Sequence, residues 1–438
     1  MSLTIGFGGL AALVLLMLLR LPIGVAMGLV SFGGITLMMG AKSALGVFTS
    51  GPFEFVASWT LSSIPMFILM GYVCYHAGIT DSLFMAVKRG MQGLSGGLGI
   101  AAIGGAAAFS SVCGSSLATA AAMGRIAVPD MVRNGYNPAF AGALVAAGGT
   151  LGTMIPPSII MIIYGIFTEV SISKLFIAGI LPGLLSAIVF SMTIWIRVRL
   201  KPELVQYKPE PADLGNYQPV QEEGRLRDVW PIAVLFFSIM GGLFAGLFSA
   251  AEAGAAGAFI SLLIASRRKR FTRKAFKSSV LESLETTAST FLIGIGAILF
   301  TRFMALSGVP DYLSGLVVGA TTDPIVFVIG VSVIYLILGC FIDPIGIMLL
   351  TLPLLLPIMQ KLEIDLIWMG ILIVKYLELG MITPPVGLNL FVIKSMMPNT
   401  SLEKIIRQIG WFILADLFTM SLLIAFPAIS TTLPSLLK

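Results

Sequence analysis

Four serines within seven residues form a dense polar group in an otherwise apolar part of the chain. Ser110, Ser111, Ser115 and Ser116 surround Gly114. Their hydroxyls are hard oxygen ligands, which suit sodium and do not suit soft metals. Small residues also let helices approach closely in a membrane, so packing alone is the alternative interpretation. Because the serines coincide with a predicted break in the helix, the pattern favours a cation site.

A second signal is the pattern L-G-x-x-x-P-P, which occurs at 151–157 and again at 379–385. Consecutive prolines remove two backbone donors and push the preceding residue out of the helical region. The carbonyl groups around 152–155 and 380–383 must then find a partner or line a cavity. A proline kink without a ligand is the alternative interpretation.

Charged residues inside apolar segments are costly in a membrane and therefore indicate function. Asp343 lies at a second predicted break, where it could neutralise a cation, carry a proton or only cap the helix that follows. Arg125 could hold a substrate carboxylate in its planar fork, or its long side chain could reach the membrane surface. Glu252 lies in an Ala/Gly-rich segment and is interpreted as structural.

These segments predict two related sodium sites, each built from a helix break and an interrupted span in the same half of the chain. The first site comprises Ser110, Ser111, Gly114, Ser115, Ser116, Gly152, Thr153 and Ile155. The second comprises Gly339, Asp343, Gly380 and Thr383. The residues expected near an anionic substrate are Arg125, Ser116, Pro156, Pro384 and Asn389.

The elements that must position these residues are membrane helices. The chain has 438 residues, of which 57% are hydrophobic and 11% charged, and this composition excludes a water-soluble fold. Apolar runs long enough to cross a bilayer are expected at 3–19, 22–40, 58–77, 139–166, 175–198, 229–247, 249–266, 288–306, 367–393 and 408–430. They are too continuous for an outer-membrane barrel. The predicted fold class is an all-α polytopic membrane protein.

Two more apolar regions, 93–133 and 322–361, are broken in the middle and are predicted to be re-entrant helical hairpins. The expected architecture is therefore about ten full spans plus two hairpins. An amphipathic segment at 271–287 is predicted to be an interfacial helix, with a plain cytoplasmic loop helix as the alternative. Its counterpart in the first half is the stretch at 43–57.

The distribution of charge predicts the topology. The net charge of +6 comes from basic residues at the ends of apolar runs, which argues against nucleic-acid binding. The basic stretches 197–228 and 267–277 are predicted to be cytoplasmic, and counting outward from them places both termini outside. The first run lacks a basic n-region and a cleavage site, so we expect a retained span. The spacing of the cysteines indicates neither a disulfide framework nor a zinc site, and a lone His76 argues against histidine-pair metal chemistry.

An internal repeat relates the two halves of the chain. The L-G-x-x-x-P-P segments are 228 positions apart, and the same offset maps Pro129 to Pro357, Gly142 to Gly370 and Ser115 to Asp343. We therefore expect one repeat at 1–200, a cytoplasmic linker at 201–228 and a second repeat at 229–438. The first half has an odd number of crossings, so the repeats are predicted to be inverted.

Inverted repeats with interrupted helices are typical of secondary transporters. We expect the hairpins and the interrupted spans to move together as an elevator. The scaffold is expected to include the Leu-, Ile- and Phe-rich spans 3–19, 175–198, 229–247 and 408–430.

The sequence resembles a known family, the large membrane subunit of tripartite ATP-independent periplasmic (TRAP) transporters. The matching segments are CGSS at 113–116, GTLGTMIPPS at 149–158, AEAGAAGA at 251–258, GCFIDP at 339–344 and ELGMITPPVGLNLF at 378–391. The resemblance covers essentially the whole chain. It implies an elevator-type sodium symporter in the bacterial inner membrane, with a small membrane subunit and a soluble periplasmic protein that captures an organic acid, such as a C4-dicarboxylate or a sialic acid. It implies no cofactor beyond the coupling sodium.

Three alternatives remain open at this point. A stand-alone divalent-anion/sodium symporter would need no binding protein, but a related fold family has Ser-Asn-Thr at its hairpin tips where this chain has Gly-Ser-Ser and Ile-Asp-Pro. An intramembrane protease would need a catalytic motif, and H-E-x-x-H is absent from the sequence. A passive scaffold would not explain broken backbone in lipid. The chain has no G-x-x-x-x-G-K segment, so direct use of ATP is not expected.

Overall fold

The computed structural model describes residues 2–91, 93–208, 229–268 and 271–436. Every regular element in these residues is helical. In the first half the α-helices are α1 (Ser2–Leu18), α2 (Ile23–Met39), α3 (Ala41–Val56), α4 (Ser63–His76), α5 (Ile79–Gly90), α6 (Gly97–Cys113), α7 (Ser116–Arg133), α8 (Pro138–Met154), α9 (Ile159–Thr168) and α10 (Ile172–Leu200).

The described residues of the second half are helical as well. Its α-helices are α11 (Trp230–Phe244), α12 (Ala250–Ser266), α13 (Arg273–Ser307), α14 (Val309–Ala320), α15 (Pro324–Gly339), α16 (Pro344–Lys361), α17 (Leu366–Ile382), α18 (Leu388–Met396), α19 (Leu402–Ala425) and α20 (Ala428–Ser435). Short 3-10 turns cover Trp59–Ser62 and Pro202–Val205.

The helices around the predicted sites correspond at the offset found in the sequence. Both ends of α7 and α16, and both ends of α8 and α17, differ by 228 residues. The residues that cap them keep the same offset, because Ser115 and Asp343 cap α7 and α16 while Asn137 and Asp365 cap α8 and α17. A side-chain oxygen accepts a backbone N–H in each case, which satisfies a donor at the helix start. The repeat therefore fixes where these helices begin.

The interrupted spans break at their proline pairs. α8 ends at Met154 and α9 starts at Ile159, while α17 ends at Ile382 and α18 starts at Leu388. The Pro156–Pro157 and Pro384–Pro385 peptide bonds are both cis. The helix breaks in the predicted hairpins fall at 114–115 and 340–343, so Ser110 and Ser111 still belong to α6.

The helices pack into two groups. We call α1–α4 with α11–α13 the outer body, and α6–α10 with α15–α20 the hairpin body, because the helices of each group pack mainly on one another. The helices α5 and α14 precede the two hairpins and lie against their arms. The bodies meet where α4 and α11 contact α6, and where α13 contacts α16.

Two of the Leu-, Ile- and Phe-rich spans that we expect in the scaffold lie in the hairpin body. The spans 175–198 and 408–430 fall mainly in α10 and α19, which pack on α8, α17 and one another. Their lipophilic composition is explained by an outward face: Leu184, Ile188 and Met192 of α10 are exposed at helical spacing. An apolar helix can belong to either body, since apolar residues pack against lipid and against protein neighbours alike.

The segment at 271–287 is not a separate helix. It forms the first half of α13, which runs for 35 residues without a break and is about 52 Å long at 1.5 Å per residue. Because the hydrocarbon core is only about 30 Å thick, the basic start of α13 can extend beyond it. In the first half the equivalent stretch is not one continuous helix. There α3 meets the segment Trp59–His76 at a bend of 53°.

Counted by helix length, the structure has fewer full spans than the sequence predicts. In the described residues, five helices are long and apolar enough to cross a membrane, or six if the bent pair of α3 with Trp59–His76 is one span. The five are Pro138–Thr168, in which α8 and α9 count as one interrupted span, Ile172–Leu200, Arg273–Ser307, Pro344–Lys361 and Leu402–Ala425. Helices such as α1 and α2 have 17 residues, about 25 Å, and fall just short of the core thickness.

The predicted linker at 201–228 is described only up to residue 208. The backbone N–H of Tyr207 donates to Gly135 O over 2.8 Å, and that of Asn137 donates to Leu204 O over 2.8 Å. The start of the linker is therefore docked on the turn between α7 and α8. The basic residues Arg225 and Arg227 lie outside the described residues.

Candidate functional site

The first hairpin break lies directly against the interrupted span of its own half. Gly114 O accepts the backbone N–H of Ile159 over 3.3 Å. A Cβ added at Gly152 would lie 2.5 Å from Ser115 O, so only glycine permits this approach. Gly114 has a φ of +66°, which glycine adopts without strain. The structure thus brings together the backbone of 114–115 and 152–159, as the first predicted sodium site requires.

The second break makes the equivalent contact. A Cβ added at Gly339 would lie 2.9 Å from Gly380 Cα, and one added at Gly380 would lie 2.7 Å from Gly339 Cα. The backbones of α15 and α17 therefore touch at these two glycines. This is the close approach that places the residues of the second predicted site side by side.

Several hydroxyls of the predicted sites donate to nearby backbone. Ser110 Oγ donates to Ala106 O over 2.6 Å, and Ser111 Oγ donates to Ala108 O over 2.7 Å. Thr383 Oγ1 does the same with Leu379 O over 2.6 Å. Each hydroxyl has one hydrogen, and these bonds use it. The oxygen lone pairs remain the only part of these groups that could serve a cation.

Asp343 caps α16. Its Oδ1 accepts the backbone N–H of Gly346 over 3.0 Å. The structure therefore contains the helix cap that the sequence offers as one role of Asp343. Ser115 has the weaker equivalent bond, from the N–H of Ala118 over 3.5 Å. A carboxylate in place of a serine hydroxyl gives the second tip a negative charge that the first tip lacks.

Both tips line one cavity between the two bodies. This cavity has a volume of about 610 Å³, and Ser115, Ser116, Thr153 and Asp343 all contribute to its wall. The opposite wall comes from the outer body, through the start of α2 and the middle of α13. The structure therefore joins residues of both predicted sodium sites at a single opening, although Ser115 and Asp343 are 228 positions apart.

A neighbouring cavity of about 360 Å³ contains the predicted substrate residue Arg125. Its guanidinium Nη1 donates to the Tyr75 hydroxyl over 2.7 Å. Tyr72, Tyr75 and Glu282 of the outer body line the same cavity. The side chain of Arg125 is exposed, so it points toward the space between the bodies.

Among the other predicted substrate residues, Ser116 lines the cavity of about 610 Å³, whereas Asn389, Pro156 and Pro384 line neither cavity. Asn389 is fully buried, and its Nδ2 donates to Ser116 Oγ over 2.9 Å and to Ala146 O over 3.1 Å. It therefore joins the second half of the chain to the first hairpin. Pro156 is buried and Pro384 half-buried. Ile155 is buried, with its side chain against Gly183 of α10.

A buried polar network was missed by the sequence analysis. Lys375 and Glu378 of α17 and Asp416 of α19 form it, with side chains exposed by 1% or less. Lys375 Nζ lies 2.6 Å from Asp416 Oδ1 and 3.1 Å from Glu378 Oε2. The signal was present, because charges inside apolar spans indicate function, and all three lie inside predicted spans.

Comparison with known proteins gives a consistent result. The sequence model of the family described as the DctM component of tripartite ATP-independent periplasmic transporters matches residues 10–429. The chain is 34% identical over 404 residues to the C4-dicarboxylate TRAP transporter large permease protein DctM of Pseudomonas aeruginosa, with 92% of each protein covered. It is 32% identical over 458 residues to the DctM protein of Rhodobacter capsulatus, with 100% of each covered.

A further relative carries a different substrate name. The chain is 31% identical over 381 residues to the sialic acid TRAP transporter permease protein SiaT of Haemophilus influenzae, covering 87% of this chain and 60% of that protein.

Two solved structures share the fold at low sequence identity. The YdaH transporter of Alcanivorax borkumensis superposes with a TM-score of 0.64 at 16% identity, covering 89% of each chain. MtrF of Neisseria gonorrhoeae has a TM-score of 0.60 at 13% identity, covering 89% of this chain and 85% of that one. These likenesses show the fold of a membrane transporter.

Proposed function

Because this chain belongs to the DctM family, the large permease subunits of TRAP transporters, we propose that it imports an organic acid by coupling to sodium. One observation carries the proposal: the two hairpin tips, through Ser115 and Asp343, open into one cavity between the two bodies. A cation and an anion that bind there would be shared by both halves of the chain. Such a site at the interface of two repeats is how many secondary transporters work.

Sodium is proposed to bind at two related places. The first lies where Ser115 and Gly114 meet Gly152, and the second where Gly339 meets Gly380. Backbone carbonyls at the ends of broken helices supply oxygen ligands, which a hard cation prefers. Asp343 adds a carboxylate next to the second place, and its negative charge would favour cation binding there.

The substrate is proposed to be an organic acid held near Arg125. This guanidinium faces the cavity of about 360 Å³, and its fork suits a carboxylate. Relatives are named for C4-dicarboxylates and for sialic acid, both of which carry carboxylates. We propose that a periplasmic binding protein selects the acid and delivers it, and that a small membrane subunit assembles with the outer body.

Movement is proposed to follow the elevator scheme. The hairpin body carries the breaks, the interrupted spans, α10 and α19, and it would slide against the outer body and carry the site across the membrane. The halves would be inverted repeats with both termini on the periplasmic side of the inner membrane. The offset of 228 residues that relates α7 to α16 and α8 to α17 and the two-body packing support this scheme.

The test is reconstitution in liposomes with the small subunit and the binding protein, followed by measurement of labelled organic acids. We expect uptake only with an inward sodium gradient and with the loaded binding protein outside. Uptake by the chain alone would favour the stand-alone anion symporter. Uptake driven by a proton gradient without sodium would contradict sodium coupling.

A further inference from the structure

The cavity of about 360 Å³ beside Arg125 has a single positive charge in its wall. Two of the described side chains that line it are charged, Arg125 of α7 and Glu282 of α13. Four others carry hydroxyl groups: Tyr72, Tyr75, Ser115 and Thr286. The volume lies in the range of small-molecule sites. An acid held here therefore meets one cation and one carboxylate.

Most donors of Arg125 are available to a ligand. A guanidinium has five N–H donors, and Nη1 donates to the Tyr75 hydroxyl over 2.7 Å. Among the residues that the structure describes, no group accepts a hydrogen from Nε or Nη2. The Tyr75 hydroxyl accepts from Arg125, so its own hydrogen is a further donor beside the guanidinium. One carboxylate can therefore bind in the fork while the contact to Tyr75 remains.

The outer body offers acceptors to the same cavity. Glu282 Oε1 lies 3.0 Å from His76 Nε2, while Oε2 has no hydrogen-bond partner in the described part of the chain. The Thr286 hydroxyl donates to Glu282 O over 2.9 Å. The hydrogen in the 3.0 Å contact between Tyr72 and Thr286 therefore comes from Tyr72. The lone pairs of the Tyr72 oxygen remain available as acceptors.

Neither His76 nor a sodium ion supplies a second cation at this place. A neutral His76 leaves the charge of Glu282 unchanged, and a protonated His76 only cancels it, so the pair never carries a net positive charge. The proposed sodium place at Ser115 lies ten positions before Arg125 along the chain, about 15 Å on a helix. This distance is longer than an acid of four or six carbons.

A hydroxyl group and a carboxylate differ in what they need beside Glu282. A hydroxyl has one hydrogen and two lone pairs, so it can donate to Glu282 Oε2 or to the Tyr72 oxygen. A carboxylate has no hydrogen to donate and would face acceptors only. It would also lie next to a charge of its own sign, which is unfavourable.

We propose that this site takes acids with one carboxylate and a hydroxyl group at the other end, and that Glu282 rejects a second carboxylate. The inference rests on the proposed function, because it requires that Arg125 holds the substrate carboxylate. It adds that the permease itself selects among acids. The Glu282 side chain is 40% exposed, so solvent screens its charge, and we expect a discrimination of about tenfold.

Two pairs of acids that differ in one terminal group test the selection: 4-hydroxybutyrate with succinate, and gluconate with glucarate. In each pair a terminal CH₂OH group of the first acid is a carboxylate in the second. The measurement is isothermal titration calorimetry with the full chain in lipid nanodiscs at one fixed sodium concentration. We expect the hydroxy acid of each pair to bind about tenfold more tightly. Equal binding, or tighter binding of the diacids, would overturn the inference.

Glu282→Gln removes the charge and keeps an oxygen acceptor for His76. We expect the diacids to bind about tenfold more tightly in this variant, so that the preference within each pair disappears. The matched control is Glu285→Gln, one turn further along α13, because Glu285 lines the other cavity. It should retain the preference, and any effect on sodium cancels in the ratio of two acids. A preference that survives Glu282→Gln, or an equal loss in both variants, would refute the role of Glu282.

The same data separate a failure of this inference from a failure of the proposed function. Arg125→Ala should weaken the binding of all four acids. Equal binding of the four acids that depends on Arg125 would leave the proposed substrate site in place and refute the selection alone. Binding that does not depend on Arg125, or no binding of any acid, would refute the substrate site and the inference together. The comparison within the unchanged protein requires no substitution, so it is decisive even if a variant does not fold.

Discussion

Arg125 and Tyr75 join the two bodies of the molecule through a single hydrogen bond, in which the guanidinium donates to the phenol oxygen over 2.7 Å. Arg125 belongs to α7 of the hairpin body, and Tyr75 belongs to α4 of the outer body. The guanidinium carbon also lies 5.9 Å from the centre of the Tyr75 ring, a cation–π contact. If the hairpin body slides, this contact must break.

A crosslink across this interface should stop transport. Ala121, one turn before Arg125, and Tyr75 line the same cavity, so cysteines at both positions can be joined by a reducible thiol-specific linker. We expect uptake to stop on crosslinking and to return on reduction, while sodium binding persists. The measurement is uptake by liposomes before and after reduction, with the native cysteines replaced.

The control pair is Ala121→Cys with Val392→Cys. Both residues line the same cavity, but both belong to the hairpin body, so their crosslink should leave uptake intact. Full uptake with the Tyr75 crosslink in place would mean that only the hairpin tips move, as gates, and the elevator proposal would fail.

Adding a methyl group at Gly339 should separate the second hairpin from α17. The new Cβ would lie 2.9 Å from Gly380 Cα, and overpacking of this kind costs about 1–3 kcal/mol. We expect Gly339→Ala to lower the unfolding temperature and to raise the sodium concentration needed for half-maximal uptake.

Gly330 provides the control for this change on the same helix. A Cβ there meets no atom within 4 Å, so Gly330→Ala should be neutral or stabilise the protein by up to about 1 kcal/mol. Equal effects of the two substitutions would show that the contact between Gly339 and Gly380 has no special role.

Asp343 both caps α16 and carries a carboxylate, and two substitutions separate these two roles. Asn caps a helix as well as Asp does, whereas Ala at the cap position lowers the stability of the protein by about 1 kcal/mol. We expect Asp343→Asn to keep the unfolding temperature but to weaken sodium activation, and Asp343→Ala to reduce both. A sodium activation curve that is unchanged in Asp343→Asn would leave Asp343 as a cap only.

Removing one hydroxyl at each predicted sodium site should weaken the dependence on sodium. We expect Ser115→Ala and Thr383→Ala each to shift the sodium activation curve of uptake to higher concentration. Ser421→Ala is the control. Like Thr383, Ser421 donates to a carbonyl one turn back, in this case Leu417 O, but it lies exposed on α19. Curves that stay unchanged in both site variants would move sodium binding elsewhere.

The proposed orientation can be tested at the N-terminus. A cysteine at Ser2 should react with a membrane-impermeant reagent added outside intact cells, since the basic segments are expected inside. A cysteine at Lys274, at the basic start of α13, should react only after the membrane is opened. The opposite pattern would reverse the topology, and labelling of both from one side would contradict the inverted repeats.

Local backbone constraints were readable in the sequence. The proline pairs at 156–157 and 384–385 and the glycine at 114 define where helices break, because a missing donor or a positive φ acts within a few residues. The repeat at an offset of 228 predicts equivalent breaks, and two helix pairs, α7 with α16 and α8 with α17, keep that offset. The family resemblance rested on the same segments.

Tertiary structure alone decided which distant residues meet. Lys375 and Glu378 are three positions apart, but their partners Thr153, Ser186 and Asp416 come from three other helices. Helical periodicity shows which face of a segment is apolar. It does not show which neighbouring helix covers that face. For the same reason the sequence could not assign α10 and α19 to the hairpin body, since a face that suits lipid suits another helix equally well.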